Sequence, residues 1–270
     1  MDSLINAGNS LQGKGVPEMS AKVAKGTGKY LYAIVADGDG QNFGPIGLEG
    51  GMVYSQAKGR VAAVISDLPN GKIRPERRHL AAHQKVLQVL MEKTTPLPMT
   101  FGIVATSPEK INQILARNQK AFTEQLQRVA AKVEMGLRVN WDVPNIFEYF
   151  VYQHAELRAA RDRLAAPQSG STQDDKIELG RMFERVLRED RESFTEKVEE
   201  LLVPQCYEIK RNPPRNEAAV MSLACLVGRE RLAAFEEAVQ TAAGQFDNHF
   251  VFDYNGPWAP HNFVEVELQL

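Results

Sequence analysis

The sequence predicts an α+β protein of two domains, and three observations carry that reading. The segment 30–36, "YLYAIVA", is apolar on both alternating faces, as a strand covered on two sides must be. The segment "VEMGLRVNW" alternates Val133, Met135, Leu137, Val139 and Trp141 with polar or small residues, so only one of its faces belongs to a core. Beyond Pro144 the pattern changes to two long helical arms separated by the breaker-rich "APQSGSTQ", the mark of a helical hairpin. The expected organisation is a flexible extension over 1–28, an N-terminal ferredoxin-like α/β sandwich over 29–142, and a C-terminal α+β unit over 143–270. The last contains the helical hairpin and ends in a Pro/Trp tail.

The elements of the first domain follow in order. After strand 30–36 comes the glycine-rich "DGDGQNFGPIGLEGG", then two short strands, "MVYSQ" and "RVAAVIS". Pro75 opens a helix whose apolar face is Leu80, His83, Leu87 and Leu90. "LPMTFGIV" returns as a strand. Ser107 then caps a second helix with Pro108 in its first turn, and Ile111, Leu115, Phe122 and Leu126 face inward. Strand 133–141 closes the domain. Two helices among strands, ending on an amphipathic strand, make the ferredoxin-like arrangement the most economical one.

In the second domain the helical arms span about 145–166 and 174–202. The second arm carries Leu179, Met182, Phe183, Val186, Leu187, Phe194, Val198 and Leu201 on one broad stripe. Strands "CYEIK" and "AAVMSLACLV", a helix "RERLAAFEEAVQTAAG" and a strand "HFVFDY" follow.

Composition narrows the function classes. With 32 basic and 34 acidic residues and a formal charge of −2, the chain has no general attraction for nucleic acid or anionic lipid. The longest apolar run is too short to span a bilayer, so no membrane partner is expected. Cys206 and Cys225 each stand beside apolar residues, which suits reduced, buried thiols in the cytoplasm.

No constellation of catalytic or metal-ligating residues completes itself. Pro45 and the lack of a following helix argue against a phosphate loop in "DGDGQNFG". Leu48 stands where a calcium loop needs a bidentate Glu. His79 and His83 are one helical turn apart, but no third ligand stands at a recognisable spacing, so packed histidines are expected and no metal or cofactor. Arg77 and Arg78 sit at a helix start, where the macrodipole disfavours them, and are candidates for contact with an acidic partner; a solvated terminus is the alternative. The stretch "YNGPWAPHNFVEVEL" is stiffened by Pro257 and Pro260 and carries Trp258 and Phe263, which are costly to leave in water. These four residues are expected to dock, either on the chain's own domains, with Trp258 largely buried, or on a partner.

Taken together, "YLYAIV", "LPMTFGIV", "VEMGLRVNWD" and "NGPWAPHNFV" resemble, in order and position, the GvpF/GvpL family of gas vesicle proteins. The resemblance runs from Lys29 onward; His261 departs from it, standing where an aromatic such as Tyr is expected. It implies a two-domain accessory or minor structural protein of the gas vesicle, cytoplasmic, non-enzymatic and without cofactor. Such a protein would bind the main shell protein GvpA and support assembly. A soluble enzyme or a ligand-sensing regulator using an inter-domain cleft are the readings from other classes.

Overall fold

The computed structural model describes residues 28–36, 38, 40–69, 73–166 and 172–269. The expected N-terminal extension, apart from Gly28, therefore lies outside the described residues, as do Asp37 and Asp39 of the glycine-rich connection. The chain divides into two compact units. One comprises the residues up to Ala131 together with the segment from Ala259 onward; the other is Lys132–Trp258.

In the first unit the strands are β1 (Gly28–Ala36), β2 (Asn42–Gly44), β3 (Val53–Lys58), β4 (Val61–Leu68), β5 (Leu97–Pro98) and β6 (Val104–Ala105). Helix α1 (Arg77–Met91) follows β4, and α2 (Pro108–Val129) follows β6. The sheet runs β2-β3-β4-β1-β5, with β6 also on β1, and every pairing is antiparallel. Among the described residues four strands precede the first α-helix. This unit is thus not the ferredoxin-like sandwich expected over 29–142, whose order is β-α-β-β-α-β.

Both faces of β1 are covered, as its unbroken apolar sequence requires. Its register against β4 shifts between Leu31 and Ala33, leaving Tyr32 as the extra residue of a bulge. Leu31 and Ile34 therefore share one side, where Ile111, Leu115 and Phe122 of α2 complete a core with Val61, Ala63 and Ile65 of β4. Tyr30 meets His83 of α1 instead. Ser107 caps α2 by accepting from the Lys110 amide at 3.4 Å, with Pro108 in the first turn, as the sequence predicts. Helix α1 starts at Arg77 and buries His79, His83, Val86, Leu87, Leu90 and Met91. Leu80, expected on that face, is 41 % exposed, because the stripe is set by His79 rather than its neighbour.

The second unit opens with β7 (Lys132–Trp141), the strand expected to close the first. Helices α3 (Ile146–Gln153), α4 (Ala155–Ala165) and α5 (Gln173–Leu202) follow, then β8 (Cys206–Arg211), β9 (Ala219–Gly228), α6 (Leu232–Ala243) and β10 (Phe250–Trp258). The antiparallel order β10-β7-β9-β8 is the ferredoxin-like one, with β7 as first strand and three helices in place of the usual first helix. The boundary expected at 142 to 143 falls before β7 because that strand hydrogen-bonds to β9 and β10. The first helical arm is broken at His154, whose extended backbone (φ −109°, ψ 114°) separates α3 from α4.

A capping box starts α5: Thr172 Oγ1 accepts from the Asp175 amide at 3.3 Å, and the Thr172 amide donates to Asp175 Oδ2 at 2.8 Å. On the helix-covered side of the sheet, Trp141 lies 5.2 Å from the Phe150 ring and 6.5 Å from that of Phe194. Phe194 in turn meets Phe250 at 5.2 Å, so the aromatic contacts join three elements to β7. Arg211 of β8 grips α5 through a two-pronged bond to Glu199 (2.7 and 2.6 Å) and a bond to Glu192 (2.6 Å).

Candidate functional site

The run from Trp258 to Phe263 is shared between the two units. Trp258 is the last residue of β10, opposite Glu134 of β7, and is of intermediate exposure. Its indole Nε1 donates to Asn255 Oδ1 at 2.8 Å. That amide needs Gly136: a Cβ there would stand 2.6 Å from Asn255 Oδ1. Pro257 is exposed beside it. Pro260 is buried and Phe263 is fully buried, and both belong to the first unit. Pro257 and Trp258 therefore finish a strand of one unit, while Pro260 and Phe263 begin a tail held by the other.

That tail turns once at His261–Phe263 and then extends. Val264, Val266 and Leu268 lie against the α2 side of the first core, while Glu265 and Glu267 point to solvent. Asn118 of α2, itself buried, donates from Nδ2 to the Gln269 carbonyl and accepts at Oδ1 from the Gln269 amide, both at 3.0 Å. The signal for Asn118 was a single polar residue at a stripe position between Leu115 and Phe122.

Arg77 and Arg78 are exposed at the start of α1. Arg78 Nε donates to Glu76 Oε2 at 2.9 Å, an ion pair open to water and so weak. Nothing in this geometry gathers the two arginines with the tail residues.

Histidines of α1 are held by separate partners. His79 Nδ1 lies 2.9 Å from the Arg74 carbonyl, and His83 Nδ1 2.9 Å from the Tyr30 hydroxyl, which also accepts from the Gly102 amide at 3.1 Å. Burial, reinforced by nearby His261, pulls His83 down to about 4 against the opposing effect of a backbone bond at Met99. The ring is neutral at pH 7. Tyr32 binds Ser66 Oγ and the Leu48 amide, both at 2.8 Å. These are packed, hydrogen-bonded groups of a covered sheet face.

Cys206 and Cys225 are free thiols on adjacent strands, the second buried. A hydrogen bond with Cys206, together with burial, raises the Cys225 thiol far above its ordinary range, so it is held protonated. Beside β8 an open groove of about 460 Å³ is lined by the charged Glu199, Glu208 and Arg211 as well as by Val203, Cys206, Tyr207 and Ile209. Val203 and Tyr207 are 59 % and 55 % exposed, and neither was singled out from sequence. Among the described residues no group of three or more His, Cys, Asp or Glu could hold a metal ion, and no helix is long and apolar enough to cross a membrane.

The fold is one shared with solved gas vesicle proteins. The crystal structure of the gas vesicle protein GvpF from Anabaena sp. superposes with a TM-score of 0.80 at 26 % identity, over 89 % of this chain and 99 % of that one. GvpF from Microcystis aeruginosa gives 0.76 at 22 % identity over 88 % and 99 %, a likeness of fold. In sequence, gas vesicle protein F of a Nostoc strain is 26 % identical over 243 residues, covering 89 % of this chain and 99 % of the relative. Gas vesicle protein F of a Streptomyces strain is 28 % identical over 239 residues, covering 87 % and 99 %. The model of the gas vesicle synthesis protein GvpL/GvpF family matches residues 28–265, and the chain belongs to that family. Its role is a gas vesicle one.

Proposed function

We propose that this chain binds the main gas vesicle shell protein, GvpA, directly, and supports vesicle assembly as an accessory or minor shell component. The reading is carried by the family match across 28–265, which takes in both compact units and the start of the tail. A shell monomer awaiting assembly exposes apolar surface and strand edges that would otherwise aggregate. A folded partner covers them best with strand edges and apolar side chains of its own.

Several features support that reading. The sheet of the second unit ends on β8 and β10, and that of the first ends on β2. The groove beside β8, with Val203 and Tyr207 exposed among charged neighbours, offers an edge strand with some apolar contact. With a formal charge of only −2, long-range steering contributes little, so apolar burial dominates the association. No nucleotide or metal takes part.

The test is capture of GvpA by the purified chain across a salt series, with and without chelator. Retention should persist at moderate salt, since exposed charges are screened over roughly 8 Å at physiological ionic strength while apolar contacts are not. Failure to retain GvpA under every condition, or loss of binding on adding chelator alone, refutes the direct, metal-free scheme.

A further inference from the structure

We propose that β8 pairs edge to edge with β8 of a second copy of this chain, antiparallel and centred on Ile209, to give a weak symmetric dimer. The edge is open. β8 ends its sheet, with β9 on one side, and the groove beside it is lined by β8 residues together with Glu199 and Val203.

The backbone sets which residues bond outward. Asn212, just past β8, donates its amide to the Ser222 carbonyl of β9 at 2.7 Å, so the residues of the same parity, Glu208 and Lys210, also turn their backbone groups toward β9. Ile209 and Arg211 therefore turn theirs toward the open edge. A two-fold axis through Ile209 joins two such edges, each Ile209 giving its N–H to the carbonyl of the other. Glu208 and Lys210 then fall in the non-hydrogen-bonded pairs, where side chains of neighbouring strands stand closest.

Charge selects that centre. With the axis at Ile209, Glu208 of each copy stands opposite Lys210 of the other. An axis moved by one residue sets Glu208 against Glu208 or Lys210 against Lys210, and one at Arg211 sets two arginines together; like charges directly opposed are destabilising. Within one chain Glu208 and Lys210 already lie 3.9 Å apart, and the seam gives each a second neighbour of opposite charge. The ends of the strand agree with this register. Pro204 and Pro214, which have no N–H to give, stand equally far from Ile209, so the ladder stops at the same place in both directions. Tyr207, the extra residue of a bulge against β9 and 55 % exposed, lies near the end of the seam, where a second strand covers part of its ring.

The test is sedimentation velocity of the full chain from about 1 to about 500 µM, a range chosen because so short a ladder falls below the roughly 1,200 Å² of stable interfaces. The chain should pass from monomer toward dimer, and the amides of Ile209 and Arg211 should exchange more slowly as concentration rises. Glu208→Lys and Lys210→Glu, each shown to be folded by circular dichroism, should each self-associate at least about tenfold more weakly, because like charges then face each other. An equimolar mixture of the two variants should recover association, since every altered charge then meets its opposite. If either variant does not fold, Ile209→Pro, which removes an outward N–H of an edge strand, takes its place with a similar loss. A monomer throughout the range, a mixture no more associated than its parts, or a dimer in which those two amides gain no protection overturns the proposal. The inference does not rest on the shell-protein reading: the assay contains only this chain, so its outcome and that of GvpA capture are read separately.

Discussion

The second unit is made from one uninterrupted stretch, Lys132–Trp258, whereas the first takes residues from both sides of that stretch. Both have an antiparallel sheet with helices, and both bury a strand rich in apolar residues, β9 in one and β1 in the other. They differ in where closure comes from. The ferredoxin-like unit is completed by β10, which hydrogen-bonds along β7 as an antiparallel ladder with one register shift between Asn255 and Trp258. The first unit is completed by a segment with one helical turn and no strand, anchored by Phe263 and by the Asn118 amide. Closure by a ladder spreads the stabilisation over many backbone bonds; closure by a tail concentrates it in a few side chains.

The largest effect should come from the anchor of the tail. Phe263→Ala removes a fully buried ring and is expected to destabilise the first unit by about 4 kcal/mol. Hydrogen exchange should show protection falling in β1 and β4 while β7 and β9 hold. Uniform loss across both sheets would break the distinction between the two kinds of closure.

A smaller loss is expected five residues earlier. Trp258 is of intermediate exposure, so Trp258→Ala should destabilise the second unit by about 2 kcal/mol, below the usual range for core aromatics. Both tryptophans, Trp141 and Trp258, belong to this unit, so the emission of Trp141 reports the variant's unfolding in denaturant. An unchanged midpoint would mean that the ladder does not depend on its last residue.

The smallest effect separates the units by pH. His83 has a folded pKa of about 4 against 6.5 unfolded, so the unfolded state binds more protons between those values. Its contribution is complete above pH 6.5 and is lost as pH falls toward 4. Between pH 7 and 5.5 the contribution of His83 to the first unit should fall by about 1 kcal/mol, and His83→Gln should remove that part of the slope while leaving the part due to His261, which burial also holds down to about 4. A slope unchanged by the substitution would assign the pH dependence elsewhere.

Much of this was legible from local pattern. The stripe of α2, its Ser107 cap and the alternation of β7 all follow from short-range periodicity and end chemistry. What was not legible is partnership. Alternation in 133–141 says that one face is buried but not which strands lie beside it, because β7 pairs with residues about eighty or more positions onward. Placing that strand in the first domain moved the ferredoxin-like order to the wrong half. The same limit applies to "GPWAPHNF": its rings and prolines announce docking, but the division between Trp258 and Ala259 depends on which core each side reaches. Asn118 was visible as an oddity in a stripe, and its role required knowing that Gln269 lies against it.

The discontinuous build of the first unit sets an order of events on the ribosome. At roughly 5–20 residues per second, synthesis of 132–258 takes on the order of ten seconds. Throughout that interval the nascent sheet, with α2 already made, lacks the valines, the leucine and Phe263 that cover it. The second unit has all of its strands by Trp258 and meets no such delay. A chain released early would therefore carry a finished ferredoxin-like half attached to an unsealed one, a substrate for chaperones and proteases even though most of its sequence is present.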